Sequence, residues 1–252
     1  PDSELYRAHP DWCIHAEGRP RSQTRNQLVL DLSRSDVCDY IIKSISDVLN
    51  SAPISYVKWD YNRNFSEMGS AALTPECQQE QAHRYILGLY SILEELNKRF
   101  PDVLFEGCSG GGGRFDPGML YYMPQIWCSD DTDAVERIFI QYGTSIVYPA
   151  VTISAHVSAC PNHQVGRTTP FKMRGDVAMS GQFGYEMDLS ALSDEDLMSA
   201  KEQVAFYKKY RNVVQYGDMY RLVSPYENDG KFAAWQFIKD KTAILYTFNI
   251  KG

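Results

Sequence analysis

The chain has 252 residues, enough for one large core or a core with a small appendage. Hydrophobic residues make up 44 % and charged residues 23 %, and the formal net charge is −7, so the basic footprint that nucleic acid or an anionic membrane surface needs is missing. No apolar run approaches the ~20 residues of a membrane span.

Taken in chain order, strand-like and helical runs alternate. Residues 26–32 (NQLVLDL) read as a strand. Residues 35–50 read as a helix with Val37, Tyr40, Ile41, Ile45, Val48 and Leu49 on one face and Ser35 as its N-cap. A strand follows at 54–60 (ISYVKWD). A helix then opens at Thr74-Pro75 and carries Tyr85, Ile86, Leu89, Leu93 and Leu96 inward. Residues 103–108 (VLFEGC) form a strand stopped by the glycines from Gly110 to Gly113. Residues 125–129 (QIWCS) form another, followed by a helix over 132–142. Strands are expected at 145–154 and, more weakly, at 176–183. A long helix opens at Ser193, where Ser193-x-x-Asp196 resembles a capping box, and runs to about Gln215.

This alternation, at roughly 30 to 40 residues per unit, predicts an α/β fold of the (β/α)8 TIM-barrel type, with an open doubly wound sheet as the rival. Five or six strand units can be counted, not eight. After Tyr220 the texture changes to short strands at 231–234, 235–238 and 243–248. The expected division is a barrel portion over 1–219 and the start of a C-terminal antiparallel β domain over 220–252.

Six cysteines (Cys13, Cys38, Cys77, Cys108, Cys128 and Cys160) form no C-x-x-C pair and no zinc-type spacing with histidine. They read as reduced thiols of a cytoplasmic protein. The five histidines have no serine or cysteine partner pattern and are assigned structural roles.

Two acidic strand ends carry the chemistry. Along Tyr56-Val57-Lys58-Trp59-Asp60, side chains alternate, so Tyr56, Lys58 and Asp60 share a face and point into a barrel near its C-terminal mouth. A cation two residues away favours an ionised Asp60, as a nucleophile requires; a structural ion pair at a strand end is the competing reading. In Ser129-Asp130-Asp131-Thr132-Asp133, three carboxylates crowd a strand-to-helix junction. Like charges so close raise at least one pKa and suit a general acid. Asp131 or Asp133 fits a helix cap better, and Asp130 fits it less well. The glycines after Cys108-Ser109 let backbone approach a ligand closely, and match neither a Walker loop nor a dinucleotide fingerprint.

Together, Lys58-Trp59-Asp60-Tyr61-Asn62-Arg63, Cys108-Ser109-Gly110-Gly111-Gly112 and Ser129-Asp130-Asp131-Thr132-Asp133-Ala134 resemble the clan D α-galactosidases of glycoside hydrolase family 36. Pro1-Asp2-Ser3-Glu4-Leu5-Tyr6, His9-Pro10-Asp11-Trp12 and Gln141-Tyr142-Gly143-Thr144-Ser145 look like that family too. The resemblance implies a retaining, double-displacement mechanism on a (β/α)8 barrel. Asp60 would be the nucleophile on the fourth strand and Asp130 the acid/base on the sixth. Lys58 would bind galactose, Cys108 and Gly110 would lie beside the sugar hydroxyls, and Arg25 and Asn62 near the same subsite. Asp131 departs from the asparagine of many relatives. No cofactor and no metal is implied. The substrates would be α-galactoside oligosaccharides such as melibiose and raffinose, and the full-length enzyme a homo-oligomer. The alternatives are an α-N-acetylgalactosaminidase, a transglycosylase, or an inactive sugar-binding or structural fragment. Family members are much longer, so the chain is expected to begin just after the third barrel strand.

Overall fold

A computed structural model describes residues 2–251. The chain divides into two compact units, residues 1–109 with 121–123, and residues 110–120 with 124–252.

In the first unit the helices are α1 (Glu4–Ala8), α2 (Ser35–Ser51) and α3 (Gln81–Arg99), and the strands β1 (Tyr56–Asp60) and β2 (Leu104–Cys108). The two strands pair in parallel, with Lys58 beside Glu106 and Asp60 beside Cys108. A parallel pair needs a long crossover, which α3 supplies. Alternation then puts Tyr56, Lys58, Asp60, Glu106 and Cys108 on one face, and Val57, Trp59 and Phe105 on the other. Helix α3 buries Tyr85, Leu89, Ile92, Leu93 and Leu96 at helical spacing and packs against α2.

Three expectations are corrected here. Residues 26–32 form no strand; they hold only the isolated bridges Cys13 to Leu30 and Thr24 to Gln27. Arg25 and Asn26 both take left-handed φ, 56° and 57°, which turns the chain where a strand would begin. At the other end Asp31 bends the backbone, its Oδ1 accepting from Ser33 N (3.1 Å) and Ser33 Oγ (2.6 Å). Ser35 is the first helical residue and Arg34 the cap, and the buried face is Val37, Cys38, Ile42 and Leu49. Tyr40 and Val48 are exposed, because apolar residues lie on more of α2 than one neighbour can cover. Pro75 opens a 3₁₀ segment (Pro75–Glu80), and α3 begins only after it.

The short helix α4 (Pro117–Tyr122) precedes the strands of the second unit. These are β3 (Gln125–Trp127), β4 (Ile153–Ser158) and β5 (Gln182–Glu186), parallel in that order, with α5 (Ala134–Val147), α6 (Phe171–Ala178) and α7 (Asp194–Tyr216). The strand expected at 145–154 is the last turn of α5, then a 3₁₀ turn, and β4 starts only at Ile153. Ile146 and Val147 mimic a strand, yet both are exposed on the helix end, and Pro149 stops the helix. The strand expected at 176–183 is likewise the end of α6, and β5 begins at Gln182. Ser193 caps α7 as expected, accepting from Asp196 N at 3.1 Å.

The antiparallel sheet of β6 (Asp218–Val223), β7 (Phe232–Lys239) and β8 (Thr242–Asn249) completes the second unit. The two strands expected at 231–238 are the one strand β7. Its buried face, Ala233, Trp235 and Phe237, lies opposite Phe248, Tyr246 and Ile244. That face shares a core with Ile138 and Tyr142 of α5 and with Tyr207, Val213 and Val214 of α7. The described residues thus carry five parallel strands, two in one unit and three in the other, the number expected of a chain that begins after the third barrel strand.

Candidate active site

In the first unit, β1 ends on the exposed Asp60. Asn62, two residues on, donates from its side-chain amide to Asp60 Oδ2. Tyr61 N donates to Cys108 O at 3.0 Å, which carries the pairing of β1 with β2 one step past the strand end. Lys58, on the same face, places its ammonium 4.0 Å from Glu106 Oε1. Glu106 is fully buried and also accepts from the Tyr56 hydroxyl. A buried carboxylate is costly without charge-assisted partners. Glu106 therefore anchors Lys58 and Tyr56 across the face that carries Asp60. Sequence reasoning missed Glu106. The available signal was a charged residue inside VLFEGC, at even spacing from Cys108.

Asp60, Lys58, Asn62 and Cys108 thus gather at one strand end. Arg25 does not join them through any hydrogen bond among the described residues; it sits exposed at the tip of the 24–27 turn.

In the second unit, the segment after β3 sorts its three aspartates by role. Asp133 is the N-cap of α5; its Oδ2 accepts from Val135 N (3.0 Å) and Glu136 N (3.1 Å), and Arg167 pairs with it. Asp131 Oδ1 accepts from Asp133 N at 3.0 Å and shapes the preceding turn. Asp130 alone is left exposed, with Oδ1 accepting from Trp127 Nε1 at 3.0 Å. Asp133 therefore caps α5, Asp131 shapes the turn before it, and Asp130 is the exposed member of the three.

Arg137, buried in the second turn of α5, fastens this segment. It donates to Ser129 O (3.1 Å), Ser154 O (2.7 Å) and Gln141 Oε1 (3.2 Å). Its guanidinium lies 4.5 Å from the centre of the Trp127 ring. The glycine loop packs on the same segment. Gly111, at φ +80°, is so close that a Cβ would stand 2.9 Å from Asp130 N, and one on Gly112 would stand 2.6 Å from Cys128 O. These glycines are needed for backbone-on-backbone packing against the Asp130 segment, whatever else they approach.

Asp60 closes a parallel strand of the first unit, and Asp130 follows a parallel strand of the second by three residues. Residues 1–217 match the Melibiase family model. The chain belongs to the melibiase family. It is 63 % identical over 249 residues to α-galactosidase AgaA of Geobacillus stearothermophilus, covering 98 % of this chain and 34 % of that protein. It is 51 % identical over 251 residues to α-galactosidase 1 of Pediococcus pentosaceus, covering 99 % and 34 %. The melibiase chain thus spans about a third of the length of the curated relatives it matches. Its fold superposes on the crystal structure of the GH36 α-galactosidase AgaA in complex with raffinose with a TM-score of 0.95 at 61 % identity, covering 99 % of this chain and 35 % of that one. That relative carries an aspartate-to-asparagine replacement. Another AgaA structure, with stachyose bound, carries an aspartate-to-alanine replacement 70 positions earlier. The likeness to family 36 is borne out.

Proposed function

We propose that this chain supplies both catalytic carboxylates of a retaining α-galactosidase. In the first step Asp60 attacks the anomeric carbon of a terminal α-galactoside. The glycosidic C–O bond breaks, and its oxygen takes a proton from Asp130. In the second step Asp130 takes a proton from water, the water oxygen bonds to the anomeric carbon, and the Asp60 carboxylate leaves. Lys58, Cys108, Gly110, Asn62 and Arg25 are the proposed galactose-binding residues. The observation that carries this reading is spacing. Asp60 and Asp130 are 70 positions apart, as are the two replaced aspartates of the AgaA structures with bound oligosaccharide. The sorting of aspartates after β3 supports the same choice, since it leaves Asp130 free of capping duty.

Further parts of the proposal are a (β/α)8 barrel in the full-length protein, with residues 1–219 in the barrel and 220–252 opening a C-terminal β-sandwich. Raffinose and melibiose are the substrates and the enzyme is homo-oligomeric. Six free thiols support a cytoplasmic location. Among the described residues no helix is long and apolar enough to cross a membrane.

The test is hydrolysis of α-galactosides by the full-length protein that carries this chain. Asp130→Ala should depress turnover of raffinose far more than that of a nitrophenyl α-galactoside, because only the poor leaving group needs protonation. Equal losses on both would remove Asp130 from the acid role.

A further inference from the structure

The side chains around Asp130 form a chain that none of the steps above uses. Trp127, on β3, is 3 % exposed, and its indole nitrogen donates to Asp130 Oδ1 at 3.0 Å. His156 of β4 stacks on the indole, with ring centres 4.7 Å apart and planes 22° from parallel. His156 Nδ1 lies 2.6 Å from Glu186 Oε2 on β5, and its Nε2 lies 3.3 Å from Ser154 Oγ. The guanidinium of Arg137 is also within cation–π range of the indole. The register explains the assembly. Trp127 lies beside Ser154, His156 beside Gly184, and Ser158 beside Glu186, so one face of three neighbouring strands presents Trp127, His156 and Glu186 together. Gly184 leaves room for the imidazole, since a Cβ there would stand 3.2 Å from His156 Cδ2.

An indole nitrogen is a donor and never an acceptor. The carboxyl oxygen that meets it must therefore accept, and because a carbonyl-type oxygen accepts better than a hydroxyl oxygen, the bond favours the acid's proton on the other oxygen. We propose that Trp127 is a positioning residue for the acid step: its N–H fixes Asp130 Oδ1 as the acceptor and leaves Oδ2 to deliver the proton to the leaving oxygen. His156, itself held by Glu186, and Arg137 keep the ring in place. A wrongly rotated carboxyl would offer its proton away from the glycosidic oxygen, and general acid help depends on hydrogen-bond reach. This inference rests on the assignment of Asp130 as acid/base.

Trp127→Phe keeps a ring for His156 and Arg137 and removes the donor together with part of the buried indole. In the full-length protein, kcat/KM is measured on raffinose and on a nitrophenyl α-galactoside for the parent, Trp127→Phe and Asp130→Ala. The ratio of the two values does not depend on the fraction of folded enzyme. For Trp127→Phe we expect a loss on raffinose of roughly 10- to 100-fold, within the range general acid catalysis supplies, and under about 3-fold on the nitrophenyl substrate. A measurable and equal fall on both substrates, or no fall on either, overturns the proposal. If Trp127→Phe leaves no measurable activity on either substrate, Glu186→Gln decides. That exposed substitution weakens the hold on His156 and should move the ratio in the same direction, and an unchanged ratio overturns the proposal. If Asp130→Ala itself shows no dependence on the leaving group, the acid assignment has failed and the proposal falls with it. If Asp130→Ala shows that dependence and Trp127→Phe does not, only the positioning role has failed.

Discussion

At the residue scale, burial decides which charged groups can act. Glu106 is inside with Lys58 and Tyr56 as partners, so its charge is committed to structure. Glu106→Gln keeps the shape but removes the counter-charge of Lys58. It should cost about 1–3 kcal/mol in the full-length protein, read as a shift of the denaturant midpoint. Arg137 is 2 % exposed and satisfies two carbonyls and an amide oxygen; Arg137→Met leaves these acceptors buried and should cost at least as much. Burial also sets thiol chemistry. Desolvation, first, and the nearby aspartates push the Cys38 thiol up to about 11. Its thiolate is then scarce near pH 7 and grows only as the solution approaches that value. Cys38 should therefore be among the last thiols labelled by a disulfide reagent at neutral pH, and rapid labelling in the folded protein would contradict the packing described. Asp60 and Asp130 both stood out in the sequence because one ends a recognisable strand and the other follows one by three residues, each beside a diagnostic neighbour. Glu106 and His156 did not, because their roles come from register between strands far apart in sequence, and no local spacing encodes that register.

At the element scale, the alternation and two of the caps were the legible part, while the expected Ser35 cap proved to be the first helical residue. Ser193 and Asp133 are cap-forming residues ahead of acidic first turns, and both cap helices. Ser193→Ala should cost about 1 kcal/mol, seen as loss of helix stability without loss of activity on galactosides. The misread elements share one cause. In residues 26–32, 145–154 and 176–183, apolar runs mimic strands. The backbone there is set by left-handed turn residues, a proline stop, and a helix that ends just before the strand. Apolar runs alone do not separate a buried helix end from a strand start. The glycine loop shows how an element can matter through its backbone. Gly111→Ala puts a Cβ into the backbone of Ser129 and Asp130 at a φ that L side chains avoid. It should cost on the order of 1–3 kcal/mol and lower kcat on raffinose more than Ser193→Ala does, because it moves the segment that bears Asp130, the proposed acid.

At the scale of the whole molecule, β1 pairs only with β2 and β5 only with β4 among the described residues, so each keeps an open edge. Open edges invite association. The chain also spans about a third of its curated relatives. The 252 residues alone are therefore expected to self-associate and to hydrolyse galactosides poorly, while the full-length protein is active. A soluble monomer with full-length turnover would refute this. In a crystal structure of the full-length protein, a retaining mechanism requires the carboxyls of Asp60 and Asp130 to be about 5–5.5 Å apart, against about 6.5–9.5 Å for inversion. The most direct test of the central claim is chemical. The full-length protein is incubated with a fluorinated galactosyl fluoride that slows breakdown of the galactosyl-enzyme, then digested and sequenced by mass spectrometry. The expected result is one galactosyl adduct, on Asp60, which Asp60→Ala abolishes and Asp130→Ala does not. An adduct on another residue, or turnover with no adduct and with inversion at the anomeric carbon, would contradict the account.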